Sequence, residues 1–487
     1  MKIADLFEEA RLTARSLVRF GGHVLNPNVR LGVTGLSRAG KTVFITALVH
    51  ALMQGGRLPV FQALATGRVA RARLEPQPDD AVPRFGYEEH LKALTVARAW
   101  PQSTTHISEL RLVVEYQSRN GSARTLTLDI VDYPGEWLLD LPLLEKSYEQ
   151  WSAETMALSR SGPRAKLAAN WHAHLMTLSP EGDEDEPQAL TAARLFTEYL
   201  RACRDERYAM SLLPPGRFLM PGDLAGSPAL TFAPLVLPKE GSAPDGSLWA
   251  MMRRRYEAYR SVVVRPFFRE HFSLLDRQIV LVDVLAALNA GPDAVRDLER
   301  ALGAILDCFR VGQRSLFSTM LRPRIDRILF AATKADHLHH TSHDRLEAIL
   351  RRMVDRAAGR ATVAGAAIDV VALAAVRATR EARVRRGREE LPSILGVPDA
   401  GESAGDERFD GKSEVAIFPG DLPADPDALF GPDGGFRGSI EGAPKNADYR
   451  FVRFRPPPLE QTDEGVPALP HIRLDRALQF LIGDWLE

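Results

Sequence analysis

Two cysteines, Cys203 and Cys308, are all that the 487 residues contain. Two thiols so far apart build neither a disulfide framework nor a cysteine-based metal site, and they suit a reducing compartment. Long hydrophobic runs are missing as well: no window reaches the roughly 18 unbroken apolar residues of a membrane span. The opening MKIADLFEEARLTARSLV has early acidic residues and no continuous apolar block, so it does not read as a secretory signal. Net charge is equally scant. With 62 Lys+Arg against 63 Asp+Glu the formal balance is -1, which offers no overall field to attract a polyanion. Nucleic acid is therefore not the expected partner, although a local basic patch is compatible with this balance. These absences point to a soluble, cytoplasmic protein that touches a membrane only through a partner or a surface helix. What is present is ordinary in amount: 45% hydrophobic and 26% charged residues can bury a large core. Because single cores stop growing near about 250–300 residues, several domains or one heavily inserted domain are expected.

The order of elements is legible from periodicity. Ile3, Leu6, Phe7, Ala10, Ala14, Leu17 and Val18 recur at helical spacing, predicting an amphipathic helix within residues 1–28. A short strand, Val29–Thr34, precedes a glycine-bearing loop and an apolar helical run from Val43 to Met53. Strands are expected at Ile107–Tyr116 and Thr125–Val131, with the turn Asn120-Gly121-Ser122 between them suggesting a hairpin. Residues 136–276 change character: Leu, Ala, Glu and Arg dominate Leu143–Leu213, a Pro/Gly-rich stretch comes next, and a helix is expected over Leu248–Tyr259. The acidic run Glu181–Glu186 reads as a solvated loop. Strand-like runs return at Gln278–Val284, Arg327–Thr333 and Ala367–Ala374, separated by helical stretches. That alternation predicts an α/β fold, a mostly parallel sheet with helices on both faces. Its core would comprise residues 29–135 and 277–380, interrupted by a helical insertion over 136–276. A C-terminal extension, 381–487, would end in an amphipathic helix, Leu474–Leu486. The arginines at 377, 380, 383, 385, 386 and 388 read as a solvated arm or as a contact for an acidic or phospholipid partner.

Gly35-Leu36-Ser37-Arg38-Ala39-Gly40-Lys41-Thr42 fits G-x-x-x-x-G-K-[ST] and lies between an apolar strand and a helix, where a phosphate cradle needs it. The glycines let successive backbone N–H groups face phosphate oxygens, and the helix beginning at Val43 turns its positive end toward them. Lys41 is expected on the β/γ-phosphates and the Thr42 hydroxyl on Mg²⁺. A second magnesium partner should end a neighbouring strand. Asp132 does so in Asp132-Tyr133-Pro134-Gly135, where Gly135 would offer its N–H to a γ-phosphate; Asp283 is the competitor. Thr333-Lys334-Ala335-Asp336 comes directly after a strand, and its carboxylate can accept from the N1–H and N2–H₂ edge of guanine, with the stem of Lys334 along the base. Small residues at Ala375 and Val376 would admit backbone N–H groups to the guanine O6. Thr104, or its neighbour Thr105, is placed to sense Mg²⁺ and the γ-phosphate. ATPase or phosphotransferase chemistry remains the alternative if Asp336 does not read the base.

GLSRAGKTVFITAL, WPQSTTHISE, DYPGEWLLDLPLL, VLVDVLAALNAG, TKADH and AVRAT together resemble the YcjX-like family of bacterial P-loop GTP-binding proteins, within the Ras-like, translation-factor-related class. The resemblance implies a GTP- and GDP-binding α/β domain with a large helical insertion. It also implies a link to stress response and to a membrane-protein partner. One departure concerns chemistry: Glu136 stands where many GTPases carry the glutamine that positions the attacking water. A carboxylate there is repelled by a γ-phosphate, so hydrolysis would be slow or use another group, or be absent in a scaffold that keeps GDP bound. Arg38 is the candidate for a cis arginine serving the transition state, with a surface or structural role as its alternative.

Overall fold

The computed structural model of the chain describes residues 27–36, 38–102, 106–238, 241–309, 325–361, 366–404, 407–430, 449, 451–459 and 468–487. The helix expected within residues 1–28 falls outside these residues. Seven strands form the central sheet: β1 (Asn28–Gly35), β2 (Val69–Glu75), β3 (Ser108–Gln117), β4 (Ala123–Asp132), β5 (Arg277–Val282), β6 (Arg327–Ala332) and β7 (Ala367–Ala372). Their order is β2-β3-β4-β1-β5-β6-β7. Strands β4, β1, β5, β6 and β7 pair in parallel, while β3 runs antiparallel to both β2 and β4. The register sets Val33 opposite Asp132 and Gly35 opposite Leu281, so the C-terminal ends of the parallel strands converge on one edge.

Burial on both faces explains why the parallel strands read as continuous apolar runs. Along β5, Ile279 and Leu281 join one apolar cluster and Val280 and Val282 the other. The first cluster is covered by helix α1 (Lys41–Gln54) and by a helix from the end of the chain. The second holds the aromatic interior of residues 136–276, in which helices α2 (Tyr148–Ser159), α3 (Glu186–Arg204) and α4 (Leu248–Tyr259) meet. Trp151 stacks on Tyr256 at 5.1 Å and Trp171 on Tyr199 at 5.3 Å. Helices α5 (Pro292–Cys308) and α6 (His343–Ala361) complete this face. The insertion therefore shares its apolar interior with the sheet. A buried ion pair fastens it further: Arg164 Nη2 lies 2.7 Å from Asp297 Oδ1 on α5, while Arg164 Nη1 donates to the Tyr199 hydroxyl on α3 at 3.0 Å.

At the other end of the chain, α7 (Leu474–Ile482) buries Leu474, Ala477, Leu478, Leu481 and Ile482 in the first cluster. Arg277 of β5 donates from Nε to the Leu481 carbonyl at 3.0 Å and pairs with Asp484 at 2.7 Å. The arginine run corrects an expectation. Instead of a solvated arm it forms β8 (Arg380–Arg386), which pairs antiparallel with β9 (Glu389–Gly396), itself joined to a third strand, Val415–Ile417. Arg380 meets Glu414 and Arg383 meets Glu390, both pairs at the exposed surface. Among the described residues no helix is long and apolar enough to cross a membrane.

Candidate functional site

Between β1 and α1 the backbone turns on two left-handed positions, Arg38 at φ 61° and Gly40 at φ 83°. The turn is closed by Ala39 N–H donating to the Leu36 carbonyl at 3.0 Å and by Phe44 N–H donating to the Gly40 carbonyl at 2.9 Å. Ser37 lies outside the described residues. Lys41, the first residue of α1, reaches toward the end of β4, where its Nζ lies 3.9 Å from Asp132 Oδ1. Both side chains are secluded, 11% and 1% exposed. Thr42 is buried too, and its hydroxyl makes a long donation, 3.5 Å, to the Gln102 carbonyl. Thr104 lies outside the described residues, while its neighbours Trp100, Pro101 and Gln102 line the same cavity as Lys41 and Thr42. Asp132 is thus the carboxylate set beside Lys41. Its competitor Asp283 is engaged elsewhere: Oδ2 lies 2.5 Å from Lys334 Nζ, and Oδ1 caps the helix Val284–Ala290 through Ala286 N–H. The Thr42 hydroxyl and the Asp132 carboxylate are hard oxygen donors, a set that fits Mg²⁺.

Backbone approaches backbone closely after β4. A Cβ added to Gly135 would stand 2.2 Å from the Gly35 carbonyl oxygen, and one added to Gly216 would stand 2.1 Å from the Glu136 carbonyl oxygen. Three strips of main chain are therefore stacked: the loop at Gly35, the segment Gly135–Glu136, and the insertion at Gly216. The segment Gly135–Glu145 is a 3₁₀ helix that is almost wholly buried. Trp137 donates from Nε1 to the Met220 carbonyl at 3.1 Å and carries the Arg217 guanidinium over its ring at 3.2 Å. Glu136 faces Arg204 at the end of α3, with Nη2 3.1 Å from Oε1. Arg38 extends outward, 60% exposed, to an ion pair with Glu206, which also lies 3.0 Å from Arg453 Nη1. Partial loss of water around its inner part, then the nearby guanidiniums of Arg453 and Arg204, lowers the Arg38 pKa below its ordinary value.

Within that buried segment Asp140 accepts from Gly216 N–H at 2.6 Å and from the Tyr259 hydroxyl at 2.6 Å. Burial pushes its carboxyl up from 3.8 to about 6. Between those values the folded chain holds a proton that the unfolded chain has released, so stability is greatest below the unfolded value and falls as pH rises through the folded one. The span corresponds to about 3 kcal/mol. Asp140→Asn keeps an acceptor for Gly216 N–H and offers an amide hydrogen to the Tyr259 oxygen. Relative to wild type it should therefore gain about 3 kcal/mol between pH 4 and pH 8. Urea midpoints of both proteins across that range check this; a pH-independent difference would exclude Asp140 as the titrating group.

At the opposite end of the cavity, β6 leads into Lys334, left-handed at φ 61°, and the buried Asp336. Asp336 Oδ2 accepts from Ala378 N–H at 2.8 Å, and its carbonyl accepts from the Thr379 hydroxyl. Ala335 N–H donates to the Leu373 carbonyl at 3.1 Å. The loop after β7, which contains Ala375 and Val376, is thereby fixed against Lys334–Asp336. Gly35, Arg38, Ala39, Gly40, Lys41, Thr42, Val43, Glu136, Lys334, Asp336, Ala375 and Val376 all line one cavity of about 650 Å³. Asp132 and Gly135 sit behind it, against Lys41 and Gly35. Trp100 comes from the expected switch stretch, but sequence reading missed the rest of this wall: Arg204 and Glu206 from the insertion, Phe451, Arg453 and Phe454 from the C-terminal extension. Trp100 donates from Nε1 to the Phe454 carbonyl at 2.6 Å, a contact 354 residues apart that no local pattern announces.

Residues 29–486 match the family described as "YcjX-like family, DUF463". Two curated relatives, each called Ras-like GTPase YcjX, are similar along almost their whole length. The one from Escherichia coli (strain K12) is 38% identical over 485 residues, covering 94% of this chain and 96% of the relative. The one from Shewanella oneidensis (strain MR-1) is 34% identical over 490 residues, covering 94% and 95%.

Proposed function

Since the chain belongs to the YcjX-like family, we propose that it binds GTP and GDP as a nucleotide-dependent switch and hydrolyses GTP slowly with Mg²⁺. The observation that carries this reading is the single cavity joining the Gly35–Val43 loop at one end to Lys334, Asp336, Ala375 and Val376 at the other. The loop backbone and Lys41 hold the phosphates, with α1 adding the positive end of its dipole. Asp336 reads the guanine edge from a position fixed by Ala378 N–H. Thr42 and Asp132 would hold the metal, with Thr104 as the candidate switch ligand; the ion, when bound, neutralises charge developing on the phosphate oxygens. Lys41 is the residue proposed to act on the transferring phosphoryl group, with Glu136 beside it; Arg38, turned outward to Glu206, takes the alternative, surface role. The link to stress response and the membrane-protein partner belong to the same proposal and rest on the family resemblance, while the cytoplasmic location rests on the scarce cysteines and the absence of long apolar runs in the sequence.

Competition of GDP, GTP, ADP and ATP against a fluorescent guanine nucleotide, with Mg²⁺ and with chelator, tests it. Guanine nucleotides should displace the probe and adenine nucleotides should not, with affinity falling when the metal is withdrawn. Equal displacement by ADP would replace the reading with an ATPase or phosphotransferase. Tight guanine binding with no phosphate release would leave a GDP-bound scaffold.

A further inference from the structure

We propose that Arg204, delivered by the insertion, is the cis arginine of GTP hydrolysis and that Glu136 holds it ready; this rests on the GTPase reading above. Three guanidiniums among the described residues surround the phosphate end of the cavity, and their partners separate them. Arg38 is drawn outward to Glu206, and Arg453 is shared between Glu402 and Glu206. Of the three, Arg204 is the one seated on the residue next to Gly135, with Nη2 3.1 Å from Glu136 Oε1 and Nη1 donating to Met220 Sδ at 3.4 Å. Its side chain is 26% exposed beside a nearly buried carboxylate, and both line the cavity.

The pairing resolves the difficulty that a carboxylate poses beside a γ-phosphate. Glu136 is charge-balanced by Arg204, so the phosphate meets a neutral pair and then competes for the guanidinium. Arg204 is also well anchored. It ends α3, which is fixed to the core through Tyr199, Arg164 and Asp297. Gly216, whose backbone abuts Glu136, comes from the same insertion. In the reaction a bond forms from the water oxygen to the γ-phosphorus as the bond from that phosphorus to the β–γ bridging oxygen breaks. The electron pair stays on GDP and the water proton ends on the released phosphate. Arg204 donates to the oxygens on which charge accumulates, a contact that a planar guanidinium makes and a lysine ammonium does not reproduce.

The experiment compares single-turnover GTP hydrolysis, GDP affinity and binding of GDP with aluminium fluoride for wild type, Arg204→Ala and Arg204→Lys. Arg204→Ala should lower the hydrolysis rate on the order of 10³-fold with GDP affinity unchanged, and should abolish the aluminium fluoride complex. Arg204→Lys should fold like wild type yet hydrolyse slowly, and added guanidinium ion should restore part of the Arg204→Ala rate. Wild-type hydrolysis by Arg204→Ala overturns the proposal and leaves the GTPase reading standing. Parallel losses of GDP affinity and melting temperature, with aluminium fluoride still bound, would make Arg204 structural and overturn it too. Absence of hydrolysis in wild type overturns both.

Discussion

Asp336→Asn is expected to exchange guanine for xanthine as the preferred base. One carboxylate oxygen is already committed to Ala378 N–H at 2.8 Å, so an asparagine at this position must keep its carbonyl there and turn its amide toward the ligand. Guanine and xanthine both present N1–H, so the 2-position decides: the 2-amino group of guanine then meets a donor where it had an acceptor. Xanthine has a carbonyl in place of the 2-amino group and receives the amide hydrogen. Each buried polar group left unpaired costs about 1–3 kcal/mol, so the unpaired 2-amino group of guanine costs roughly 5-fold to 150-fold in affinity relative to xanthine. The side chain is isosteric and the loop contacts remain, so the fold is spared. Titrating GDP and XDP against a fluorescent nucleotide in both proteins reads the exchange directly. Unchanged GDP preference in the variant would remove Asp336 from base recognition.

The residues at the two ends of the cavity were legible in the sequence for a physical reason. A parallel strand buried on both faces is a run of apolar residues, and the loop that leaves it at the sheet's C-terminal edge is where ligands are met. Strands β1, β4 and β6 announce themselves in this way, and with them Gly35–Thr42, Asp132 and Lys334–Asp336. Strand β2 does not. Its sequence, Val-Ala-Arg-Ala-Arg-Leu-Glu, alternates charge with small residues because it lies at the sheet edge, where Arg73 meets Glu115 of β3. The run at Arg380–Arg386 was hidden by the same property: a strand of exposed arginines looks like a solvated arm. Arg204, Glu206 and Arg453 were beyond sequence reading altogether. They come from the insertion and the C-terminal extension, and what defines them is each other. Arg38 shows the converse, a residue whose place in the loop is plain while its side chain answers to Glu206.

Gly216→Ala should separate binding from turnover. The methyl would stand 2.1 Å from the Glu136 carbonyl oxygen and 2.4 Å from its carbon, both main-chain atoms, so no side-chain rotation relieves it. Gly216 and Glu136 must move apart, which stretches the Gly216 N–H bond to Asp140 and carries Arg217 away from the Trp137 ring. Overpacking of this kind costs about 1–3 kcal/mol, and a weakened buried hydrogen bond adds about 1 kcal/mol. The phosphate loop, Lys41 and Asp336 lie on the far side of the Gly135–Glu136 strip, so GDP affinity should be kept. Glu136 and Arg204 are displaced together, and a misplacement near 1 Å lowers turnover by about 10²-fold. Gly135→Ala is the counterpart. Its methyl would press 2.2 Å from the Gly35 carbonyl, on the phosphate loop itself, so nucleotide affinity should fall along with turnover. Melting temperature, GDP affinity and single-turnover hydrolysis measured on the two variants distinguish the layers. Wild-type turnover in Gly216→Ala would show that the insertion shelters Glu136 without positioning it, and loss of GDP affinity there would show that the three strips move as one.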